Sequence, residues 1–394
     1  MFFSLLLATC VGIMLGIITG LVPGIHVNLV STFILSISGM LLAHTSPFLL
    51  CVAILAMAVT HTFLDTLPSI FLGVPQEETV LSMLPGHRLL LQGKGTEAVL
   101  LSVFGSLGSM ILAIPLVPIL VYVLRYFYSI FEPFIGWILV AVCLFMIFRE
   151  KEKIDAVVLF CLSGALGIAV LRLPLTQSLL PLLSGLFGVS MLCMSLRNNV
   201  WIPKQERSEL SLEDVKKALP CAVIFGGLAS FLPGLGPAQA ATISSSFVKL
   251  TERGFLILTG GLATVNMVLS LVMFYVLDKA RNGAVVAMSE MMHLSFFDFL
   301  IFLNVALIAG GVATILAIFF SGIFSSLISF VPYTKMCFFV LCFVIGLVFL
   351  LTSWMGILIL FVSAAVGLVA HTSAVAKSHM MGCLLVPVIL YFLF

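Results

Sequence analysis

His61 and Asp65 are the residues whose type and spacing first suggest chemistry. They lie four apart inside the apolar run 47–73, so a helix places both side chains on one face. An ionised Asp at the bilayer centre costs about 2.5–3.5 kcal/mol on insertion scales, so it usually faces a cavity or a partner. With the hydroxyl of Thr60, the pair favours ion coordination or proton coupling. An interfacial pair at a helix end is equally compatible, because Pro68 follows closely.

Two Pro-Gly elbows offer a different chemistry, the binding of an anion. Proline removes a backbone donor and glycine permits unusual dihedrals, so each elbow should end one helix and begin another. The free N–H groups at a helix start attract negative charge. The predicted substrate-binding residues are Pro23, Gly24, His26 and Asn28 at the first elbow and Pro233, Gly234, Gly236, Pro237 and Gln239 at the second. The competing interpretation is a pair of ordinary loops at the membrane surface.

The two elbows occupy matching places in two related halves. Superposing residues 12–34 on 222–244 aligns the two Pro-Gly pairs, Gly16 with Gly226, and Thr32 with Thr242. The sequence 163–167 likewise resembles 363–367. Thr264 and Asn266 lie in the region of the second half that corresponds to the His61–Asp65 stretch, so we expect Thr264 to complete the ion site and Asn266 the substrate site.

The composition places these residues in a membrane protein. Of 394 residues, 62% are hydrophobic and 9% are charged, whereas a soluble domain has about 25% charged residues. Apolar runs of about 20 residues, the length of a transmembrane helix, recur along the chain. The net charge of +2 gives no basic surface for nucleic acid, and the nine cysteines form no C-x-x-C pair.

Seven apolar segments are predicted on each side of one polar linker. The predicted units are an N-terminal membrane repeat, 1–196, a cytoplasmic linker, 197–217, and a C-terminal membrane repeat, 218–394. If every segment crosses, 14 of the 18 Lys and Arg residues fall on one side and 4 on the other, and the rich side is cytoplasmic. Both termini then lie outside, and the second half is inverted. Segments 26–43 and 237–250 are short enough to be re-entrant.

These features predict an all-α integral membrane protein with two inverted-topology repeats, whose Pro/Gly-broken or re-entrant helices meet near the midplane. The favoured function is an ion-coupled secondary transporter for small organic anions such as carboxylates, working by alternating access. A translocase of an anionic lipid such as polyprenyl phosphate is the alternative. An enzyme is disfavoured, because the sequence has no H-E-x-x-H motif and no second acidic residue clearly buried to pair with Asp65.

The second elbow also carries a family resemblance. The stretch Gly227 to Gln239, Gly-x-x-x-Phe-Leu-Pro-Gly-Leu-Gly-Pro-Ala-Gln, resembles the TctA family, the large permease subunit of tripartite tricarboxylate transporters. The first elbow, Gly73-Val74-Pro75, Pro85-Gly86-His87 and the segment 183–188 are similar to it as well. The chain is about a hundred residues shorter than typical members, and its first elbow departs from the usual form at His26 and Asn28.

The resemblance implies a multi-pass protein of a prokaryotic cell membrane, with no cofactor other than Na⁺ or H⁺ as coupling ion. No ATP-binding G-x-x-x-x-G-K-[ST] motif occurs in the sequence. The implied partners are membrane lipid, a small anionic substrate, a small membrane subunit and a soluble binding protein. Whether the protein forms a homodimer is left open by the sequence, and no nucleic acid is expected to bind.

Overall fold

Helices follow the apolar runs throughout the computed structural model, which describes residues 2–22, 27–73, 83–175, 178–197, 203–205, 210–232, 235–280, 282–330, 333–373 and 375–394. No strand occurs in these ranges. The α-helices are α1 (Phe2–Leu21), α2 (Val27–Ser36), α3 (Ser38–Leu41), α4 (Pro47–Leu64), α5 (Thr66–Phe71), α6 (Met83–Leu91), α7 (Gly95–Ala113), α8 (Val117–Phe131), α9 (Ile135–Arg149), α10 (Lys153–Leu171), α11 (Leu179–Leu183), α12 (Ser190–Arg197), α13 (Val215–Phe231), α14 (Pro237–Phe247), α15 (Glu252–Leu277), α16 (Gly283–Ser289), α17 (Phe296–Phe330), α18 (Tyr333–Thr372) and α19 (Gly382–Leu393). Helix α18 is broken by a kink at Ser353, whose backbone is non-helical. A π-helical segment, Ser184–Val189, joins α11 to α12.

Seven stretches of helix in the described ranges are long and apolar enough to cross a membrane, which confirms the predicted all-α membrane fold. They are Phe2–Leu21, Pro47–Phe71, Gly95–Arg149, Lys153–Leu171, Glu252–Leu277, Phe296–Ile328 and Cys337–Ala370. The helices that follow the elbows, α2 and α14, have only 10 and 11 residues. At 1.5 Å per residue each is about 15 Å long, half of the hydrocarbon thickness of about 30 Å. Neither can cross alone.

Within each half, the helix that leads to the elbow packs parallel to the long helix after it. Gly12, Gly16 and Gly20 of α1 lie in turn against Ala53, Thr60 and Leu64 of α4, and a Cβ on Gly16 would lie 2.5 Å from that of Thr60. In the second half, a Cβ on Gly226 of α13 would lie 2.9 Å from Val265 Cγ1 on α15. Small residues therefore let both helix pairs approach closely.

Between the halves, the long helices exchange partners. Helix α15 of the second half packs on α7 of the first, where a Cβ on Gly105 would overlap the backbone of Ile257. Conversely, α4 packs on α17, where Phe48 stacks on Phe302 with 5.5 Å between ring centroids. The two sequence halves are therefore interlocked and do not form separate packing units.

The second repeated motif shows the same reciprocity. Helix α10, which carries 163–167, packs on α19, and a Cβ on Gly167 would overlap Cys383. Helix α18, which carries 363–367, packs on the π-helical segment, and a Cβ on Gly367 would overlap Leu186. The similar sequences thus occupy corresponding positions in the packing. The inverted orientation of the halves stays a prediction.

Ion pairs mark the two ends of α15. At its start, Arg88 lies 2.8 Å from Glu252, and Arg253 lies 2.7 Å from Glu97. At its end, Lys279 lies 2.5 Å from Glu132. We call the end of the molecule at Glu252 the charge-rich end, because it also carries Asp214, Lys217 and Gln205 of the linker. The N–H of Thr251 donates to the Asp214 carboxylate over 2.8 Å and lowers its pKa.

Candidate functional site

The predicted ion-coupling residues of the first half lie in the protein interior. Thr60, His61 and Asp65 each have no exposed surface. They sit at the end of α4, where the helix approaches the first elbow: a Cβ on Gly20 would lie 3.4 Å from both the His61 carbonyl oxygen and the Asp65 nitrogen. The chain therefore enters the first elbow directly beside the His61–Asp65 turn.

A proline opens the backbone at this point. The boundary between α4 and α5 falls at Asp65, and Pro68, which has no N–H, cannot donate to the carbonyl of Leu64 four residues earlier. The hydroxyls of Thr60 and Thr66 are buried and find no hydrogen-bond partner within the described ranges. Two hydroxyl oxygens, one backbone carbonyl and the Asp65 carboxylate are thus concentrated in two helical turns, and hard cations such as Na⁺ prefer such oxygen ligands.

One contact joins this cluster to the second half. Thr62 Oγ1 on α4 lies 3.2 Å from Thr264 Oγ1 on α15, and both side chains are buried. Thr264 is therefore beside the cluster that sequence analysis expected it to complete. The sequence assigns no role to Thr62, since only the fold shows that it faces the other half.

Asn266 is the only residue of α15 between Leu256 and Phe274 that is not buried. Asn266 is thus partly accessible in the middle of an otherwise buried stretch of helix. The packing shows which residue of the first half corresponds to Asn266. Gly16 of α1 contacts Thr60, and its aligned counterpart Gly226 of α13 contacts Val265. The next residues along the two long helices, His61 and Asn266, therefore occupy equivalent positions. By the same step Asp65 corresponds to Ser270, whose hydroxyl donates to the Asn266 carbonyl over 2.6 Å.

At the first elbow, Pro23, Gly24 and His26 lie outside the described residues, and Asn28 lies inside them. Asn28 is in the first turn of α2 and is half-buried. Its amide packs on the start of α16, where a Cβ on Gly283 would lie 2.6 Å from Asn28 Cγ. The α16 helix was not predicted, because its seven residues are too few for a periodic pattern. Its place shows that the 278–296 connection folds back onto the helix that follows the first elbow.

At the second elbow, Pro233 and Gly234 are likewise outside the described residues, whereas Gly236, Pro237 and Gln239 form the start of α14. Gly236 is the N-cap and Pro237 the first helical residue, as their types predict. Gln239 is 2% exposed. Its Oε1 accepts the Gly236 N–H over 2.9 Å, and its Nε2 has no partner within the described ranges. One half of the amide thus caps the helix, and the other half is a buried donor.

The hydroxyls of residues 242–246 bond the backbone of their own helix. Thr242 donates to Ala238 over 3.2 Å, Ser245 to Thr242 over 2.8 Å and Ser246 to Thr242 over 3.0 Å. Such local bonds are common for Ser and Thr in membrane helices. They give these hydroxyls a structural role.

Comparison with known proteins identifies the family of the chain. The family described as "Tripartite tricarboxylate transporter TctA family" matches residues 6–382. The chain is also 32% identical over 410 residues to a protein of Methanocaldococcus jannaschii named "Uncharacterized protein MJ1079", covering 98% of this chain and 99% of that protein. No solved structure matches. The resemblance seen at the second elbow is confirmed, and the chain belongs to the TctA family of tripartite tricarboxylate transporters.

Proposed function

We propose that this protein is a permease of a prokaryotic cell membrane that moves small organic anions, such as carboxylates, together with Na⁺ or H⁺ by alternating access. The observation that carries the proposal is the contact between a buried polar cluster of the first half and a polar stretch of the second. The Thr60–Asp65 cluster on α4 touches α15 through Thr62 and Thr264, two residues before the half-exposed Asn266.

The anion-binding part of the proposal rests on the starts of the two half-length helices. A helix N-terminus offers free N–H groups and about half a positive charge. At α14 it is joined by the buried Nε2 of Gln239, a donor with no partner in the described ranges. At α2 it is joined by the amide of Asn28. Amides and helix starts recognise a carboxylate without adding a charged side chain to the membrane interior.

The coupling part rests on the α4 cluster. Asp65 is a buried carboxylate, and the oxygens of Thr60, Thr66 and the Leu64 carbonyl stand within two turns of it. Such a set suits Na⁺. The His61–Asp65 pair on one face suits H⁺ instead. We therefore propose either Na⁺ or H⁺ as the coupling ion, and transport driven by a Na⁺ or a pH gradient distinguishes the two.

The family supplies the large subunit of tripartite systems, which work with a small membrane subunit and a soluble binding protein. We extend this to the present chain as part of the proposal. Substrate exchange should require only the permease, whereas efficient uptake from dilute solution should require the binding protein, because it concentrates the substrate at the membrane.

The test is transport by the purified protein in proteoliposomes. We expect labelled citrate or succinate to enter in exchange for internal carboxylate, and to accumulate when a Na⁺ or a pH gradient is imposed. Protein-free liposomes are the control, and a fluorescent lipid-scrambling assay is run on the same preparation. Lipid movement without carboxylate exchange would contradict the proposal and favour the anionic-lipid translocase.

A further inference from the structure

A polar cavity of about 380 Å³ opens near the charge-rich end, beside the C-terminal half of α14. Three elements form its polar wall: the α9–α10 turn, the C-terminal half of α14 and the segment before α19. The residues used below are Arg149, Glu150, Thr242, Ser246, Lys377 and His379. The permease mechanism proposed above uses none of them.

The cavity carries an excess of positive charge. Among the described residues that line it, the cations are Arg149 and Lys377 and the acid is Glu150. Glu150 is already engaged: its Oε1 lies 3.2 Å from His379 Nε2 and accepts the Ala376 N–H over 3.3 Å. Arg149 donates one N–H to the Ser246 carbonyl and lies over the Phe145 ring, 6.0 Å from its centroid. Since a guanidinium has five N–H donors, Arg149 is held in place with donors to spare.

His379 provides a second, independent sign of a ligand. Its side chain is 1% exposed, and its Nδ1 has no hydrogen-bond partner in the described part of the chain. A buried polar atom without a partner is costly, and in native structures it is usually satisfied by a water or a ligand. When the neutral ring donates its Nε2–H to Glu150, Nδ1 is a buried acceptor beside the two cations, and a water or a hydroxyl group of the ligand satisfies it.

We propose that this cavity is a second anion-binding site, which takes a soluble carboxylate between Arg149 and Lys377 with His379 beside them. Arg149 suits a carboxylate because its planar fork binds two oxygens at once. Only the choice of ligand class rests on the proposed function.

The location indicates what the site does. Thr242 lies three residues beyond Gln239 on α14, so one wall of the cavity is the half-length helix that begins at the second elbow. An anion held here would lie beside the helix that carries the predicted residues of the second elbow. The cavity is thus a vestibule on the charge-rich side, where substrate is held before or after it occupies the elbow.

The experiment measures binding of radiolabelled citrate to the purified full-length protein by equilibrium dialysis, in nanodiscs of neutral phosphatidylcholine. Arg149→Gln and Lys377→Gln should each weaken binding about tenfold, since each removes a charge-assisted hydrogen bond. Lys377→Arg keeps the charge and should retain binding. Arg125→Gln removes an arginine of α8, outside the cavity, and should leave it unchanged. Thermal unfolding of every variant verifies the fold.

Two further arms separate this proposal from the permease function. Gln239→Leu should retain the binding that depends on Arg149 and Lys377, even if transport is lost. Binding that is lost in Gln239→Leu but unchanged in the Arg149→Gln/Lys377→Gln double variant would overturn the second site and leave the elbow site standing. Loss of citrate binding when phosphatidylglycerol is added to the nanodiscs would assign the cavity to a lipid headgroup and overturn the soluble ligand.

Discussion

At the scale of single residues, the candidate site consists of polar groups buried inside apolar helices. Asp65 has no exposed surface, and it lies in the apolar 25-residue span Pro47–Phe71, most of which is buried. An ionised carboxylate in such a place is costly unless it is compensated by a partner or an ion. The concentration of oxygens around it is therefore a reason to assign a function to Asp65.

Asp65→Asn should abolish gradient-driven accumulation of the substrate but leave measurable substrate exchange. The amide keeps the size of the carboxylate and removes the charge that a coupling ion needs, whereas exchange does not require net ion movement. Accumulation and exchange in proteoliposomes are the two readouts. Glu290→Gln, at an exposed carboxylate, is the control and should change neither. Normal accumulation by a well-folded Asp65→Asn protein would return Asp65 to a structural role.

The sequence could identify part of this site, because an isolated acid and histidine in an apolar run are visible without a fold. It could also pair Asn266 with the His61–Asp65 region, because the halves align. Thr66 and Ser270 were missed, since hydroxyl residues are common in membrane helices and most bond their own backbone, as residues 242–246 do. Burial and the Thr62–Thr264 contact depend on which helices face each other, and a single sequence does not record that.

At the scale of helices, the apolar runs predicted most boundaries to within a few residues, because a membrane span needs a fixed apolar length. The missed elements were short. The polar stretch 75–88 was predicted to be a loop, yet Met83–Leu91 form α6, and His87 is buried there with Nδ1 3.5 Å from the Ile70 carbonyl. Neither α6 nor α16 is long enough to show helical periodicity, and packing against their neighbours stabilises them.

The contact between the halves gives a prediction about glycine. A Cβ on Gly105 of α7 would overlap the Ile257 backbone of α15, whereas a Cβ on Gly311 of α17 would meet nothing within 4 Å. Gly105→Ala should therefore destabilise the protein by about 1–3 kcal/mol through overpacking. Gly311→Ala should be neutral or stabilise it by up to about 1 kcal/mol, because alanine favours helix.

Thermal unfolding of the two purified variants in detergent, followed by intrinsic fluorescence, measures this difference. The expected order of melting temperatures is Gly105→Ala below the unsubstituted protein, and Gly311→Ala at or above it. Equal melting temperatures for the two variants would contradict the close packing of α7 on α15.

At the scale of the whole molecule, the interlocked halves limit how the protein can move. Residues 1–196 and 218–394 are related by sequence, but α4 packs on α17 and α15 packs on α7. Rocking the two halves as rigid bodies would separate both interfaces. The half-length helices α2 and α14, which are too short to cross alone, are better placed to move, and they carry the predicted binding residues.

Topology is the prediction that tests the whole arrangement. The pairs Arg88–Glu252 and Arg253–Glu97 lie at one end of α15, and Lys279–Glu132 lies at the other, which agrees with the way the basic residues were divided between two sides. Since basic residues favour the cytoplasm, we expect the linker inside and both termini outside.

In a protein whose exposed cysteines Cys10, Cys161 and Cys342 are replaced by serine, Phe3→Cys, Glu290→Cys and Phe394→Cys should react with a membrane-impermeant maleimide on intact cells. Lys204→Cys in the linker should react only after the membrane is permeabilised. Its reaction at that stage shows that this cysteine is accessible to the reagent once the membrane barrier is removed. Labelling of Lys204→Cys together with the termini on intact cells would refute the inverted arrangement of the halves.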